Sequence, residues 1–148
     1  MLKLAPATLA ILLCATPALA DLSGRVANVH DGDTLTLDGS KVRLWGIDAP
    51  ELKQKCGGSA CGVVARDPLR DLVQGRVVTC VQVDRDRYQR VVASCQVGDT
   101  DLGEAMVRSG NALDYRRYSR GRYRQAERDA ESRRVGRFVA PWDWRRKG

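Results

Sequence analysis

Histidine is almost absent from this chain: His30 is the only one in 148 residues. No Cys-x2-Cys pair occurs either, and His30 lies far from the cysteines at 56, 61, 80 and 95, so the ligand set of a structural zinc site is missing. Repeats and long linkers are lacking. With 43% hydrophobic content, 148 residues fill one modest core and leave no room for a second domain. No apolar run is long enough to span a bilayer, since the N-terminal one ends by Ala15 and contains Pro6. Acidic charge is the minority, 18 Asp and Glu against 25 Lys and Arg, which gives a formal net charge of +7. Such an excess draws in polyanions by counterion release, so nucleic acid or an anionic surface is the expected partner. A merely soluble basic surface gives the same total.

What is present begins with a leader. Lys3, an apolar stretch and Ala18-Leu19-Ala20 form the small-x-small pattern of a secretory signal peptide, cut after Ala20. The mature chain is then residues 21–148, exported to the periplasm or medium and without a membrane segment. A lipid anchor on Cys14 is the alternative, but Leu13 replaces the small residue usual before such a cysteine. Export suits Cys56, Cys61, Cys80 and Cys95, an even set in an oxidising compartment. Residues 74–83 and 90–97 read as a hairpin with its tip near Arg87, which places Cys80 and Cys95 at matching distances from the turn. They are expected to pair, leaving Cys56 with Cys61.

Short strands are expected at 23–29, 34–37 and 41–47, with Asp38-Gly39 as a hairpin turn. Asp101 and Glu104 form a capping box ahead of a helix over 102–109, stopped by Gly110. A last helix over 120–135 places Tyr123, Ala126 and Ala130 on one face and Asp129 with Arg133 on another, with Gly136 after it. Between 62 and 74, Pro68 interrupts the pattern: Asp67 caps a short helix, or a longer helix is kinked. Spacing and composition support a small α+β domain.

The chemistry lies in clustered carboxylates. Asp31-Gly32-Asp33-Thr34 and Arg43-Leu44-Trp45-Gly46-Ile47-Asp48-Ala49-Pro50-Glu51 put acidic residues at strand ends, and Tyr88-Gln89-Arg90 follows. Acidic clusters in a basic protein suggest a hard cation. Phosphodiester hydrolysis uses this inventory: oxygen ligands for a metal, a carboxylate to activate water, and guanidinium groups to hold the charge of the transition state.

These residues, in this order, resemble the staphylococcal (micrococcal) nuclease or thermonuclease family, and the resemblance continues through 102–109 to Pro141-Trp142-Asp143-Trp144-Arg145. It implies a five-stranded Greek-key β-barrel of the oligonucleotide-binding type with two to three helices. It implies Ca2+ held by Asp33, Asp48 and the backbone carbonyl of Ala49, where the best-known member has threonine. Glu51 matches the residue that deprotonates or orients the attacking water; Arg43 and Arg90 match the arginines on the reacting phosphate. Tyr88 matches a tyrosine near that phosphate, Arg87 replaces a family lysine, and Tyr115 and Tyr118 fall near tyrosines that stack on a base. Gln89 stands where the best-known member has glycine. The reaction implied is endonuclease-type cleavage of the 5′ P–O bond of DNA and RNA, leaving 3′-phosphates.

Each residue also has a plainer reading. Asp31 is a turn residue or a support for the site, and His30 is packed on its strand. Tyr115 and Tyr118 could be partly buried at a helix edge, and either arginine alone could be a surface ion pair. The arginines at 116, 117, 120, 122, 124, 133, 134, 137, 145 and 146 extend a polynucleotide track or solvate a helix face. Trp142 and Trp144 lock the tail onto the barrel. The reading favoured is an exported, monomeric, calcium-dependent nuclease acting on DNA and RNA with a preference for single strands. Its alternative is a weak or inactive nucleic-acid-binding module of the same fold. A third, an envelope protein binding anionic polymers by charge alone, has no specific sequence support.

Overall fold

A computed structural model of the protein describes residues 21–130 and 140–148. The expected signal peptide and the end of the expected last helix, Arg133 included, lie outside the described residues. In chain order the elements are β1 (Leu22–Asp31), β2 (Thr34–Leu37), β3 (Ser40–Leu44), β4 (Ile47–Asp48), α1 (Cys61–Val73), β5 (Val77–Arg85), β6 (Val91–Val97), β7 (Thr100–Asp101), α2 (Leu102–Arg108), β8 (Leu113–Asp114), α3 (Arg116–Ser119), α4 (Arg124–Ala130) and α5 (Pro141–Lys147). Among the described residues no helix is long and apolar enough to cross a membrane.

Five strands close a barrel. β1 pairs antiparallel with β2 and β5, β2 with β3, and β5 with β6; a parallel pairing of β3 with β6 seals the ring, with Val42 opposite Val91, Arg43 opposite Val92 and Leu44 opposite Ala93. Register shifts in β1 and β5 bend those strands, as closure requires. Alternation sends Leu35, Leu37, Val42, Leu44, Val91 and Ala93 inward, where they meet Val78, the α1 residues Leu69 and Val73, and the α2 residues Met106 and Val107. Cys80 and Cys95 face each other across β5–β6 and are bonded, and Cys56 is bonded to Cys61 at the start of α1. The barrel, with helices against it, is the α+β architecture that the sequence resemblance implied.

Several boundaries differ from the sequence reading. The strand expected over 41–47 stops at Leu44, because Gly46 adopts φ +76 and the chain turns before β4, which pairs with β8. The hairpin strand expected from residue 74 begins at Val77, since the Gln74 amide still bonds Arg70 O and Gly75 turns the chain at φ +70. Helix α1 runs through Pro68, and Asp67 does not cap it; its carboxylate accepts from Arg66 and pairs with Arg70. The capping box at α2 is half formed: Asp101 accepts from the Glu104 amide, whereas the Glu104 carboxylate accepts from Arg108. The helix expected from Arg120 is α4 and begins at Arg124, because Arg120 and Gly121 take left-handed conformations of φ 55 and 84, and a further helix, α5, follows it. Asp129 there pairs with Arg108 and Gln125, while Tyr123, Ala126 and Ala130 are buried as their spacing predicted.

A Cβ at Gly46 would lie 3.1 Å from Ser119 Cβ and 3.2 Å from Tyr123 Cε2, on a backbone that L-residues avoid. Gly46→Ala is therefore expected to lower unfolding stability by about 1–2 kcal/mol from the left-handed backbone alone, measured by urea denaturation.

Candidate active site

The site forms where the barrel closes. Arg43 stands on β3 opposite Thr34, and the Leu44 amide donates to Asp33 O at 2.8 Å, so the acidic turn and the arginine strand are tied along the backbone. Parallel pairing with β6 then sets Arg43 beside the strand that Arg90 precedes. Gly32 permits a third approach, since a Cβ there would lie 2.7 Å from Ala49 Cβ and 3.1 Å from Ala65 O. The loop after β4 can thus press against the turn between β1 and β2, and Asp33 meets Asp48 although 15 positions separate them.

Arg43 bridges the two aspartates. Its Nη1 lies 3.1 Å from Asp33 Oδ2, and its Nη2 donates to Asp48 Oδ1 at 3.0 Å and Ile47 O at 3.2 Å. Asp33 Oδ1 accepts from the Thr34 hydroxyl at 2.8 Å, and Oδ2 accepts from the Ala49 amide at 2.9 Å. Both aspartates are buried. Burial pushes Asp33 upward, but the Arg43 charge and these hydrogen bonds outweigh it and hold the carboxyl below its usual range. Arg43 shows the converse: burial opposes its charge, and Asp33 and Asp48 raise it.

Negative charge is nevertheless in excess. Asp31 accepts the Asp33 amide at 3.1 Å, and burial followed by repulsion from Asp33 pushes its carboxyl up to about 7. Burial likewise pushes Asp48 up to about 6, with repulsion from Asp33 adding to it, although Arg145 and Arg43 favour the ionised form. Arg145, on α5, donates from Nη2 to Asp48 Oδ2 at 2.7 Å and from Nη1 to Glu51 Oε1 at 2.6 Å and Asp48 Oδ1 at 3.2 Å. Glu51 is held from behind by Gln54, whose amide donates to Glu51 O at 2.7 Å and whose side-chain oxygen accepts the Glu51 amide at 3.3 Å. The Cys56–Cys61 bond closes the same loop onto α1.

An open groove of about 1100 Å³ gathers Asp31, Asp33, Arg43, Glu51, Arg87, Tyr88, Arg90, Tyr115, Tyr118 and Arg145. Asp48 adjoins it through Arg43 and Arg145. Arg90 sits on the wall, held by Asp86 at 2.6 Å and 5.6 Å from the Tyr88 ring centre; Arg87 donates to the Tyr88 hydroxyl and also faces that ring. Tyr88 and Tyr118 are exposed. Tyr115 stacks on Trp142 at 5.3 Å and meets Tyr118 edge-on, so one side of its ring is already covered. His30 bonds Thr36 at 2.8 Å and does not line the groove.

Within the basic C-terminal third Arg116 pairs with Glu127, Arg122 with Asp101, and Arg146 with Asp143, while Arg117 lines the groove. Gln54 and the individual position of Arg145 were not singled out by sequence. Gln54 carries no motif, and Arg145 is one arginine in a basic run; only the barrel brings it to Asp48.

A small closed barrel whose rim gathers carboxylates, guanidiniums and aromatic rings in one groove is an architecture for contacting a polyanionic chain. The pattern of the family described as staphylococcal nuclease homologue matches residues 41–138, and the chain belongs to that family. It is 36% identical to Protein ParB of Escherichia coli, over 97% of this chain and 90% of that protein. It is 34% identical to an uncharacterized endonuclease of Escherichia coli, over 86% and 88% of the two chains, and 32% identical to the micrococcal nuclease of Shigella flexneri, over 96% and 91%.

The raised Asp31 carboxyl has a consequence for folding. In the unfolded chain it ionises near 3.8, in the fold near 7, so the fold binds more protons between these values and stability falls as pH rises through that window. Asp31→Asn keeps the acceptor for the Asp33 amide and removes the charge. With chelator present it is expected to stabilise the protein at pH 8 by on the order of 1 kcal/mol, and to make no difference at pH 4, as read from Tm.

Proposed function

We propose that the protein is an exported nuclease that hydrolyses phosphodiester bonds of DNA and RNA, dependent on calcium, through Glu51, Arg43 and Arg90. The observation that carries this reading is the excess of negative charge at the groove: among the described residues, Asp31, Asp33, Asp48 and Glu51 are met by ion pairs from Arg43 and Arg145 only. Membership in a nuclease family supports hydrolysis and a nucleic-acid substrate. The donors are all oxygens, which suits a hard cation such as calcium. Among the described residues no group of three His, Cys, Asp or Glu side chains is arranged to hold a metal; the proposed ligands are Asp33, Asp48 and the Ala49 backbone carbonyl, completed by water. Bound there, calcium supplies positive charge that polarises the phosphate and lowers the pKa of a neighbouring water.

The chain's own groups do the rest. Glu51, fixed at both its amide and its carbonyl by Gln54, takes the proton of the attacking water. Arg43 is anchored by the aspartates and presents its guanidinium to the phosphate, and Arg90 approaches from the opposite wall with Asp86 orienting it. Arg87 and Tyr88 hold the adjoining backbone. Tyr118, and the uncovered face of Tyr115, stack on bases, which tolerates any sequence and favours single strands. Export is supported by the leader pattern and by two disulfides, and the protein acts as a monomer with no membrane contact in its mature form.

Glu51→Gln in residues 21–148 is expected to lower calcium-dependent cleavage of single-stranded DNA by about 10²–10⁴-fold while leaving DNA affinity within about threefold. Arg90→Lys should lose at least tenfold in kcat, because an ammonium cannot reproduce two parallel donors. Cleavage by Glu51→Gln at the wild-type rate would remove Glu51 from the chemistry; tight binding without cleavage by wild-type protein would favour a binding module.

A further inference from the structure

Among the described residues Arg145 makes the closest side-chain contacts with Asp48 and Glu51, and it reaches them from the far end of the chain. Its guanidinium engages both oxygens of Asp48 and one of Glu51, leaving Asp48 Oδ1 shared with Arg43. Burial works against that charge, but hydrogen bonding to Asp48 and then Glu51 raises the guanidinium pKa overall. The helix that carries it is seated by the Tyr115–Trp142 stack. A carboxylate saturated by a bidentate guanidinium offers a hard cation little, and the Glu51 oxygen that accepts from Arg145 at 2.6 Å is covered by that contact.

We propose that Arg145 is a built-in competitor of the divalent cation: the guanidinium and calcium are alternative occupants of Asp48, and cation binding withdraws Arg145, frees Glu51 and loosens α5 from the groove. This rests on the calcium reading above. The electrostatics favour the exchange, because a divalent ion offsets more of the four carboxylates than a single guanidinium does. It also ties activity to cation supply: at low calcium Arg145 stays on Glu51 and Asp48.

Calorimetric titration with calcium chloride, without nucleic acid, separates the possibilities in wild type, Arg145→Gln and Arg145→Lys. Both variants are expected to bind calcium more tightly, Arg145→Gln by at least tenfold and Arg145→Lys by an intermediate factor, since one ammonium cannot span both carboxylates. Amide exchange in residues 140–148 of wild type should become faster with calcium. If Arg145→Lys equals wild type, only net charge matters and displacement is wrong. If affinity is unchanged or weaker in Arg145→Gln, or α5 exchange slows with calcium, Arg145 supports the occupied site and the competition is overturned. No calcium binding by any of the three overturns the cation reading itself, and the competition with it.

Discussion

The bridge from Arg43 to Asp33 and Asp48 is the contact on which the rest of this site depends. Two buried carboxylates within reach of each other would otherwise repel and lose solvation together, and removal of the guanidinium would leave both uncompensated. The barrel supplies the means: β3 must pair with both β2 and β6, so one side chain on β3 stands between the acidic turn and the wall that carries Arg90. Closure of the sheet and assembly of the charges are therefore one event. The price is a cluster that remains negative, visible in the elevated carboxyls of Asp31 and Asp48.

Much of this was legible in the chain. The carboxylate motifs, the two arginines, Tyr88, Tyr115 and Tyr118 all reach one groove or its edge, because strand-end motifs and hairpin turns are local features that sequence records. Cysteine placement in the hairpin gave the 80–95 bond, since equal distance from a turn is a geometric consequence of antiparallel pairing. What sequence did not disclose was non-local or depended on exceptions to local rules. Of the two readings left open at Pro68, the longer helix holds, because tertiary packing of Ala65, Leu69 and Val73 outweighs the proline's helix-breaking tendency. Arg120 adopts a left-handed conformation that the sequence gives little reason to expect, which shortens the helix expected there. The Gln54 brace on Glu51 and the reach of Arg145 follow no motif, because they exist only once loop, barrel and tail are assembled.

The distribution of charge reconciles a net +7 with an acidic site. Arg116, Arg122, Arg145 and Arg146 each answer a carboxylate of the same chain, so these four add little local excess of positive charge. Arg87, Arg117 and the Asp86-paired Arg90 line the groove and border its carboxylates rather than neutralise them. Such a ring would draw a polyanionic backbone in while the centre stays short of positive charge, the deficit that the proposed cation would meet.

The most direct test of this account follows single-stranded DNA incubated with residues 21–148 under chelator and after calcium is restored in excess. The account predicts intact DNA under chelator and its degradation once calcium is returned. Degradation that proceeds equally under chelator would contradict it, because the carboxylate cluster would then be serving the chemistry without a cation.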